Sequence, residues 1–372
     1  MAKVLHIIQG YGGGISSIVK NLILSADPDS LQQDVMSFAY THGEAFVAEL
    51  ERRGSHCFQM PRPRKQGMKA FRQYVKKVLR EGKYDVVHCH SDGWRAFLFR
   101  SIAKAEHVPL FCIHAHRASN EPGTLGANPA YIRINQWISR KCADVCFACG
   151  REAAEFIYGT ANGTITIPNG IDPVRCANAA KVDADSLRAS LGVEKDALML
   201  LQVGRIVVQK NYDFTLKIAE ELKNRGVCFK ILIVGAGDLE EELRKKIQQK
   251  SLLDVVVVLG RRSDVYELMA AADAMLLPSL WEGLPTVAVE AQAMGLHSLL
   301  SDKITQECDM GLGLVDFLPI DTAASWVDSV CNIRCLPAAA QDECLEELER
   351  RAYTAKSSVQ RYIDTLARYL QN

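Results

Sequence analysis

The sequence has no net charge and no long apolar run. Its 44 basic and 44 acidic residues cancel, so no global electrostatic field marks it as a nucleic-acid-binding protein. No stretch reaches the roughly 18 consecutive apolar residues of a membrane span, and the first residues begin a strand without the apolar core of a signal peptide. We therefore expect a cytoplasmic protein that is neither secreted nor integral to a membrane.

The twelve cysteines give no sign of a disulfide framework. Cys112, Cys146, Cys149 and Cys228 lie inside apolar runs that are typical of strands, where cysteine behaves as a small hydrophobic residue. This usage indicates a reducing compartment.

At 372 residues, the chain is long enough for two domains of ordinary size. Short β-branched runs alternate with amphipathic segments of helix length, and this alternation predicts an α/β protein with parallel sheets. The predicted strands are residues 4–8, 35–39, 86–89, 110–113, 145–148, 198–203, 229–234, 255–259 and 274–277.

The alternation pauses around Ile167–Pro173, and a polar, alanine-rich stretch follows before a new series of strands begins. We therefore expect one Rossmann-like domain over residues 1–172 and a second over residues 173–356. The final segment, residues 357–372, has the apolar spacing of a helix. We expect this helix to pack back onto the first domain.

Several residues indicate where helices begin and end. Asp238 and Asp264 each precede a glutamate by three residues, which predicts two capping boxes. Gly192, Gly226 and Gly295 stand where left-handed residues commonly follow a helix.

The first predicted strand leads into a glycine-rich loop, residues 10–14, and then into a helix that begins near Ile15. Bare backbone amides and a helix N-terminus at this position can hold an anion or a sugar. A dinucleotide fingerprint would need glycine or alanine where Ile15 stands, so NAD is not expected. A tight turn without a ligand is the alternative.

The second half carries cations at the carboxyl end of a strand. The predicted strand at residues 198–203 is followed by Gly204 and Arg205, and Lys210 stands just before the next helix. Two cations at the carboxyl end of a parallel strand suit a diphosphate.

Two acids follow the strand at residues 274–277. Glu282 lies in the loop after that strand, and Pro285 is suited to the first position of the next helix. Glu290 lies about one and a half turns into that helix, so both acids can bracket one ligand. Carboxylates accept hydrogen bonds from the hydroxyls of a ribose or a hexose. The alternative, two solvated surface acids, is disfavoured because the flanking residues 287–291 are mostly apolar.

These segments together resemble the donor-binding half of glycosyltransferase family 4, whose members include bacterial capsule and exopolysaccharide enzymes. The similar segments are Gly204-Arg205, Lys210-Asn211, Val234-Gly235-Ala236-Gly237, Glu282-Gly283-Leu284-Pro285 and Glu290-Ala291. The glycine-rich first loop, residues 167–172 and Ser301-Asp302 also resemble that family. The resemblance covers nearly the whole chain and implies the GT-B fold, two Rossmann-like domains with parallel sheets facing across a cleft.

The resemblance also implies residue roles. Arg205 and Lys210 would hold the donor diphosphate and stabilise the leaving nucleotide, Glu290 would bind the ribose, and Glu282 would bind the hexose. The backbone contacts to the donor would come from Gly13 and Gly14 in the first half and from Gly283, Leu284, Pro285 and Thr286 in the second. No metal is expected, since two cations and a helix N-terminus can neutralise the diphosphate.

The implied reaction is transfer of a hexose or N-acetylhexosamine, with retention at the anomeric carbon, to a glycan or a lipid-diphosphate saccharide. UDP is the favoured nucleotide. A sugar-nucleotide epimerase, a phosphorylase and a non-catalytic sugar-nucleotide sensor on the same architecture are the alternatives, and product analysis separates them.

Histidines follow two neighbouring strands in pairs. His88 and His90 flank one residue at a strand end, and His114 and His116 do so at the next, so each pair points to one side. The family resemblance places a histidine near the donor sugar, and His116 or His114 fits. The candidate catalytic residues are His116, Glu282, Arg205 and Lys210, and His114 and His90 are candidate acceptor-binding residues. A structural role for His116 is the alternative.

Zinc is the alternative for these four histidines. No acidic ligand stands at a characteristic spacing from them, and Cys142, Cys146 and Cys149 fit a core segment better than a closed metal site. The sequence therefore predicts no metal site.

Residues 62–83 are strongly basic, with Glu81 as their only acid. Apolar residues repeat at helical spacing on another face of this segment. A solvated surface helix is one interpretation. Peripheral contact with anionic lipid at the inner face of the plasma membrane, close to a lipid-diphosphate acceptor, is the other.

Overall fold

The structure of the chain is a computed structural model that describes residues 2–11, 14–38, 44–119, 128–335 and 340–371. The chain divides into two compact units, Met1–Gly170 with Ala352–Asn372, and Ile171–Arg351. The junctions therefore fall at 170/171 and 351/352, where the sequence pattern places them at 172/173 and 356/357.

The first unit contains a sheet of seven parallel strands. The strands are β1 (Ala2–Ile7), β2 (Leu31–Ser37), β3 (Cys57–Gln59), β4 (Val86–Cys89), β5 (Leu110–Ala115), β6 (Val145–Ala148) and β7 (Ile165–Thr166). Their spatial order is β3-β2-β1-β4-β5-β6-β7. Every residue of β4 and β5 is buried, as expected for inner parallel strands that are covered on both faces.

Helices connect these strands. They are α1 (Gly14–Ser25), α2 (Glu44–Arg52), α3 (Pro63–Gln66), α4 (Met68–Gly82), α5 (Gly93–Ala105), α6 (Pro129–Cys142) and α7 (Arg151–Tyr158).

The second unit contains a sheet of six parallel strands. They are β8 (Leu198–Val203), β9 (Phe229–Val234), β10 (Val256–Gly260), β11 (Ala274–Leu277), β12 (Ser298–Ser301) and β13 (Val315–Leu318). The order β10-β9-β8-β11-β12-β13 repeats the order of the first six strands of the other sheet. The predicted parallel α/β architecture is thus confirmed in both units.

The helices of the second unit are α8 (Pro173–Ala179), α9 (Ala184–Ser190), α10 (Tyr212–Asn224), α11 (Glu240–Gln249), α12 (Val265–Ala271), α13 (Thr286–Ala293), α14 (Ala324–Asn332) and α15 (Gln341–Arg350). Its largest fully buried side chain is Trp326 of α14, whose ring meets the Phe214 ring of α10 edge to face at 5.5 Å.

The last helix, α16 (Ala355–Leu370), belongs to the first unit. Val359, Tyr362 and Leu366 lie on one face of α16 and are buried in the core with Ile18 and Leu22 of α1. The helical spacing of apolar residues at the end of the sequence therefore corresponds to a buried face.

Helix ends match the sequence in part. Gly192, Gly226 and Gly295 follow α9, α10 and α13 with φ of 67°, 70° and 70°, which confirms the predicted left-handed positions. The two capping boxes were wrong. Leu239 caps α11, and the carboxylate of Asp264 is bonded to Arg262 Nε at 2.8 Å instead of to the backbone of α12.

Four strands were not predicted: β3, β7, β12 and β13. β3 and β7 have three and two residues, which is too short for a periodic pattern to be read, and β12 and β13 have four residues each. None of the described helices is long and apolar enough to cross a bilayer.

Candidate functional site

The second sheet has a switch point between β8 and β11. From β8 the chain moves outward to β9 and β10, and from β11 it moves outward in the other direction. Ligands of open parallel sheets bind beside the carboxyl ends of the strands at such a point. The loops that leave β8 and β11 carry the predicted cations and acids.

Close backbone approach shapes the loop after β8. Gly204 has φ of 156°, and a Cβ there would lie 2.8 Å from Cε of Lys210. Gly235, in the loop after β9, has φ of 147°, and its Cβ would lie 1.8 Å from the carbonyl oxygen of Gly204. A Cβ at Gly235 would collide with backbone, a Cβ at Gly204 would displace the Lys210 side chain, and both conformations favour glycine. The lysine stem therefore runs directly over bare backbone.

A buried hydrogen-bond network fixes the backbone of Lys210. Gln202, at the end of β8, donates to the Lys210 carbonyl at 3.0 Å and accepts from Thr215 Oγ1 at 2.6 Å. Asn211 is left-handed, with φ of 53°, and donates to the Pro278 carbonyl at 3.0 Å. The loop after β8 is thus tied to the loop after β11.

The side chains of Lys210 and Glu282 form an ion pair. Lys210 Nζ lies 2.7 Å from Glu282 Oε1, and the two side chains are only 14% and 9% exposed. Gln209 Nε2 donates to the other carboxylate oxygen at 3.0 Å and to the Trp281 carbonyl at 2.8 Å. A carboxylate has about four lone-pair positions and an ammonium group has three protons. Both groups therefore keep hydrogen-bonding capacity for a ligand.

Glu290 lies in α13, in a half-buried position. The Tyr266 hydroxyl donates to its Oε1 at 3.2 Å. Burial raises the pKa of the Glu290 carboxyl, while the Tyr266 hydrogen bond and the charges of Arg175 and Lys210 lower it. Arg175 itself lies over the Tyr266 ring, 4.6 Å from its centroid. The ionised form of such a carboxylate is stabilised when the hydroxyl groups of a ligand donate hydrogen bonds to it.

The N-terminus of α13 follows Glu282 closely. Pro285 is the residue that precedes the helix rather than its first residue, which is Thr286. No side chain caps this end of α13. Gly283 and Pro285 are buried, while Leu284 and Thr286 are partly exposed. The first-turn amides of such a helix form an anion site.

Arg205 is exposed, and its guanidinium has no ion-pair partner among the residues that the structure describes. It follows Gly204 directly, at the carboxyl end of β8. Lys210, Arg205 and the amides of α13 thus supply positive charge, and Glu282 and Glu290 supply hydroxyl acceptors. This combination suits a molecule that contains both a diphosphate and sugar rings.

In the first unit, the glycine-rich loop is described only in part. Gly13 lies outside the described residues, and Gly14 is the exposed first residue of α1. Asn169 Nδ2 donates to the Gly14 carbonyl at 3.3 Å, so residues of the 167–172 segment lie beside this loop.

The histidine pairs lie together at the carboxyl ends of β4 and β5. The rings of His88 and His90 are stacked with centroids 4.3 Å apart, and those of His114 and His116 with centroids 4.2 Å apart. The predicted orientation of each pair to one side of the sheet is thus confirmed. His90 and His114 are 3% and 2% exposed, whereas His116 is half-buried.

A fifth histidine, His6 of β1, joins this cluster. Its ring lies 5.0 Å from that of His88, and its Nε2 lies 2.9 Å from Gln33 Oε1. Burial lowers the pKa of His6 to about 4 and that of His116 to about 3. It also lowers the pKa values of His88, His90 and His114 far below the usual range. All five imidazoles are therefore neutral at pH 7.

Sequence reasoning missed the residues that hold the candidate ones in place. Gln202, Gln209 and Tyr266 position Lys210, Glu282 and Glu290, and Tyr362 holds His88. A polar residue inside an apolar strand, such as Gln202 or His6, is the signal that could have found some of them, because a buried polar group needs a partner.

The basic segment forms α3 and α4. The apolar face of α4, with Phe71, Val75, Val78 and Leu79, is buried. Lys76 and Arg80 reach Glu106, the residue that follows α5, at 3.5 and 3.1 Å. The other basic side chains of α4 therefore form the outward face of a docked helix.

Known proteins resemble the chain over its whole length. Residues 12–175 match the family described as Glycosyltransferase Family 4, and residues 183–310 match the family described as Glycosyl transferases group 1. EpsF of Bacillus subtilis, which is named as a glycosyltransferase, is 31% identical over 364 residues, which are 96% of this chain and 94% of that protein.

Two further similarities are more distant. The UDP-Gal:alpha-D-GlcNAc-diphosphoundecaprenol alpha-1,3-galactosyltransferase of Escherichia coli is 28% identical over 62% of this chain and 61% of its own. The crystal structure of Anabaena Alr3699/HepE in complex with UDP and glucose superimposes with a TM-score of 0.79 at 20% identity, over 99% of this chain and 100% of that chain.

The raised pKa of Glu290 predicts a pH-dependent stability difference in the ligand-free protein. Below the ordinary glutamate pKa of 4.5 the carboxyl is protonated in both the folded and the unfolded chain. As the pH rises through the raised pKa, the folded chain gains less from ionisation than the unfolded chain and loses stability. Glu290→Gln cannot ionise, so its melting temperature relative to wild type should increase as the pH rises from below 4.5 through the raised pKa.

Thermal unfolding of both proteins across this pH range measures the effect. Glu241→Gln, at an exposed position of α11 in the same unit, is the matched control. If the difference in melting temperature between Glu290→Gln and wild type does not change with pH, the assignment of a pKa raised by burial is contradicted.

Proposed function

The chain belongs to glycosyltransferase family 4, and we propose that it transfers a hexose or N-acetylhexosamine from a UDP-sugar to a glycan or lipid-linked saccharide, with retention at the anomeric carbon. Family membership makes it a transferase rather than an epimerase or a non-catalytic sensor. The GT-B fold class with two Rossmann-like domains is also confirmed.

One observation carries the proposal: Lys210, Glu282 and Glu290 lie on the loop and helix that follow β8 and β11, at the switch point of the second sheet. Lys210 and Glu282 are in contact at 2.7 Å, and the charge of Lys210 lowers the pKa of Glu290. A cation and two hydroxyl acceptors are therefore arranged around one space at the carboxyl ends of the strands.

The donor diphosphate binds to Lys210, Arg205 and the backbone amides at the start of α13. When the sugar–phosphate bond breaks, negative charge accumulates on the leaving diphosphate, and these groups stabilise that charge. The cations and the helix N-terminus supply this neutralisation from the protein itself. Transfer from the donor then requires no metal ion.

The acids orient the two sugars of the donor. Glu290 accepts hydrogen bonds from the ribose hydroxyls, and Glu282 accepts them from the hexose. Gly283, Leu284, Pro285 and Thr286 present backbone to the sugar and phosphate, and Gly13 and Gly14 contribute from the first unit. The Lys210–Glu282 ion pair is formed before the donor binds, so both side chains are already held in position for it.

Names of related proteins support UDP and a lipid-diphosphate acceptor. The Escherichia coli enzyme is named for UDP-Gal and a diphosphoundecaprenol acceptor, and the Anabaena structure is described as a complex with UDP and glucose. By analogy, this chain uses a UDP-linked sugar in bacterial polysaccharide synthesis.

In the first unit, His116 contacts the sugar or the acceptor. It is the most exposed of the three candidate histidines, and its neutral ring can exchange one hydrogen bond with a hydroxyl group. His90 and His114, which are proposed to bind the acceptor, lie buried beside His116: His90 Nδ1 is 2.8 Å from His116 Nε2, and the His114 ring centroid is 4.2 Å from that of His116.

The basic face of α4 contacts anionic lipid. The apolar face of this helix is buried, so the contact is electrostatic and does not insert into the bilayer. Such contacts contribute about 1 kcal/mol per basic residue near the surface and weaken as salt screens them. The enzyme then works beside a lipid-linked acceptor.

UDP should raise the melting temperature of the purified protein, and should do so with EDTA present. A ligand that binds only the folded state stabilises it by about 2.7 kcal/mol at 100 times its Kd. Lys210→Ala and Glu290→Ala should each reduce the UDP-induced shift. Lys223→Ala, which removes a surface lysine that is paired with Asp254, should leave the shift unchanged.

GDP, ADP and NAD are measured in parallel. A shift with GDP or ADP instead of UDP would change the donor and keep the enzyme class. No shift with any nucleotide, a shift with NAD alone, or unimpaired binding by both variants would overturn the donor-site assignment.

His116→Ala should lower turnover of the UDP-sugar with its acceptor by about 10- to 100-fold, as expected for loss of a hydrogen bond to a buried reacting group. The UDP-induced thermal shift should remain. NMR of the product should show the anomeric configuration of the donor. His107→Asn, at an exposed position with φ of 57° that asparagine tolerates, is the control. Normal turnover by His116→Ala would remove this residue from the site.

The chain should sediment with vesicles that contain anionic lipid at low salt and stay in solution with neutral vesicles. A variant with Lys69, Arg72 and Lys77 changed to glutamine should sediment less. Exchange of the same number of basic residues for glutamine on the second unit, at Lys195, Lys223 and Lys245, should have no such effect. Equal sedimentation of both variants would exclude α4 as the contact surface.

A further inference from the structure

Three of the clustered histidines have a common arrangement at the carboxyl ends of β1 and β4. Each of these imidazoles forms one hydrogen bond through its outer ring nitrogen: His6 Nε2 with Gln33 Oε1 at 2.9 Å, His88 Nδ1 with Tyr362 Oη at 2.8 Å, and His90 Nδ1 with His116 Nε2 at 2.8 Å. Histidine ligands of a metal ion characteristically donate their second ring N–H to such a partner.

The same three histidines are close enough to share one ion, as are His90, His114 and His116. One ring nitrogen from each of His6, His88 and His90 lies within 4.8 Å of the other two. His6 Nδ1 and His90 Nε2 are 3.2 Å apart. Two nitrogens bound at about 2 Å to one tetrahedral zinc ion are about 3.3 Å apart. The spacing of this pair therefore already fits a shared ion.

A hydrogen bond between His90 Nε2 and His6 Nδ1 is the simpler explanation for that distance, but it does not account for His88. His88 is fully buried, and its Nε2 has no hydrogen-bond partner among the described residues. A buried polar atom without a partner costs about 1–3 kcal/mol. A metal ion between the three rings would give that nitrogen a partner as well.

The chemistry of the cluster suits a metal ligand set. Metal ions bind imidazole through a ring nitrogen that carries no proton. The buried amide of Gln33 donates to the Leu22 carbonyl at 2.8 Å, so its oxygen is left to accept the proton on His6 Nε2. This hydrogen bond leaves the lone pair of His6 Nδ1 directed toward the cluster.

We propose that the first unit binds a Zn²⁺ ion, or a closely related divalent transition-metal ion, through His6 Nδ1, His88 Nε2 and His90 Nε2. Imidazole is the preferred ligand of such ions, and three histidines leave a fourth coordination position open. The sequence argument against zinc relied on the missing acidic ligand, and His6, which stands far from the other histidines in the sequence, removes that requirement. The proposal is independent of the metal-free donor site in the second unit.

The ion would also fix the proton on His116. With metal on His90 Nε2, the proton of His90 lies on Nδ1 and is donated to His116 Nε2, so His116 carries its own proton on Nδ1. Without metal, His90 Nε2 donates to His6 Nδ1, and His90 Nδ1 accepts from His116 Nε2. The two states therefore place opposite tautomers at His116.

The metal content of the full-length chain tests the proposal. The protein is produced with zinc in the medium, freed of any affinity tag, dialysed and measured by elemental analysis. We expect about one equivalent of zinc per chain. The metal-free protein, prepared with a chelator, should bind added Zn²⁺ saturably, and added Co²⁺ should show the visible absorption of tetrahedral cobalt.

His6→Gln, His88→Gln and His90→Gln should each lose the bound zinc, whereas His107→Asn should retain it. Because the glutamine variants could fail to fold, Tyr362→Phe and Gln33→Leu provide a second measurement. These variants keep all three ligands and remove one outer partner, and should weaken Zn²⁺ affinity by about 10- to 100-fold.

Wild-type protein that contains no zinc and binds added Zn²⁺ without saturation would overturn the proposal. So would folded histidine variants that bind zinc as well as wild type. Movement of the His116 proton from Nε2 to Nδ1 on zinc addition, observed in its ¹⁵N shifts, would support the proposal, and zinc bound directly to a His116 nitrogen would contradict it.

Discussion

The ion pair between Lys210 and Glu282 is the interaction on which the candidate donor site depends. It joins the loop after β8 to the loop after β11, across the switch point of the second sheet, at 2.7 Å. The pair is largely buried, and removal of one partner from such a pair leaves an uncompensated charge that costs about 3–5 kcal/mol. Gln202 donates a hydrogen bond to the Lys210 carbonyl, and Gln209 donates one to the Glu282 carboxylate. The positions of Arg205, Glu290 and the first-turn amides of α13 depend on how these two loops leave the sheet.

The two units handle buried polar groups in opposite ways. In the second unit, the buried side chains of Lys210 and Glu282 carry opposite charges and contact each other beside the ends of β8 and β11. In the first unit, five neutral imidazoles lie together at the ends of β1, β4 and β5, and the hydrogen-bond partners of His88 and His90 among the described residues include no carboxylate. Charged groups suit a site that neutralises a diphosphate, and neutral imidazoles suit hydroxyl groups or a metal ion. The same strand order therefore supports two different chemistries.

The candidate donor residues could be predicted because their spacing is tied to local elements. Arg205 and Lys210 follow one predicted strand, Glu282 follows another, and Glu290 lies on the helix after it. Their supporting residues could not be predicted in this way. Gln202 and Tyr266 act on residues in other segments, and neither has a local pattern that names its partner. His6 and Tyr362 meet His88 across more than 80 and 270 positions of the sequence, respectively.

By itself, the sequence determined the parallel α/β architecture, most of the inner strands, the three glycines that follow helices, and the family. These features depend on periodicity, turn chemistry and motifs within a few residues of one another. Only the tertiary structure decided which polar side chains pair, that α4 buries its apolar face, that Asp264 bonds Arg262 instead of capping a helix, and that five histidines form one cluster. The physical reason is that the partner of a buried polar group is set by the order of strands in the sheet, and that order brings together residues that are far apart along the chain.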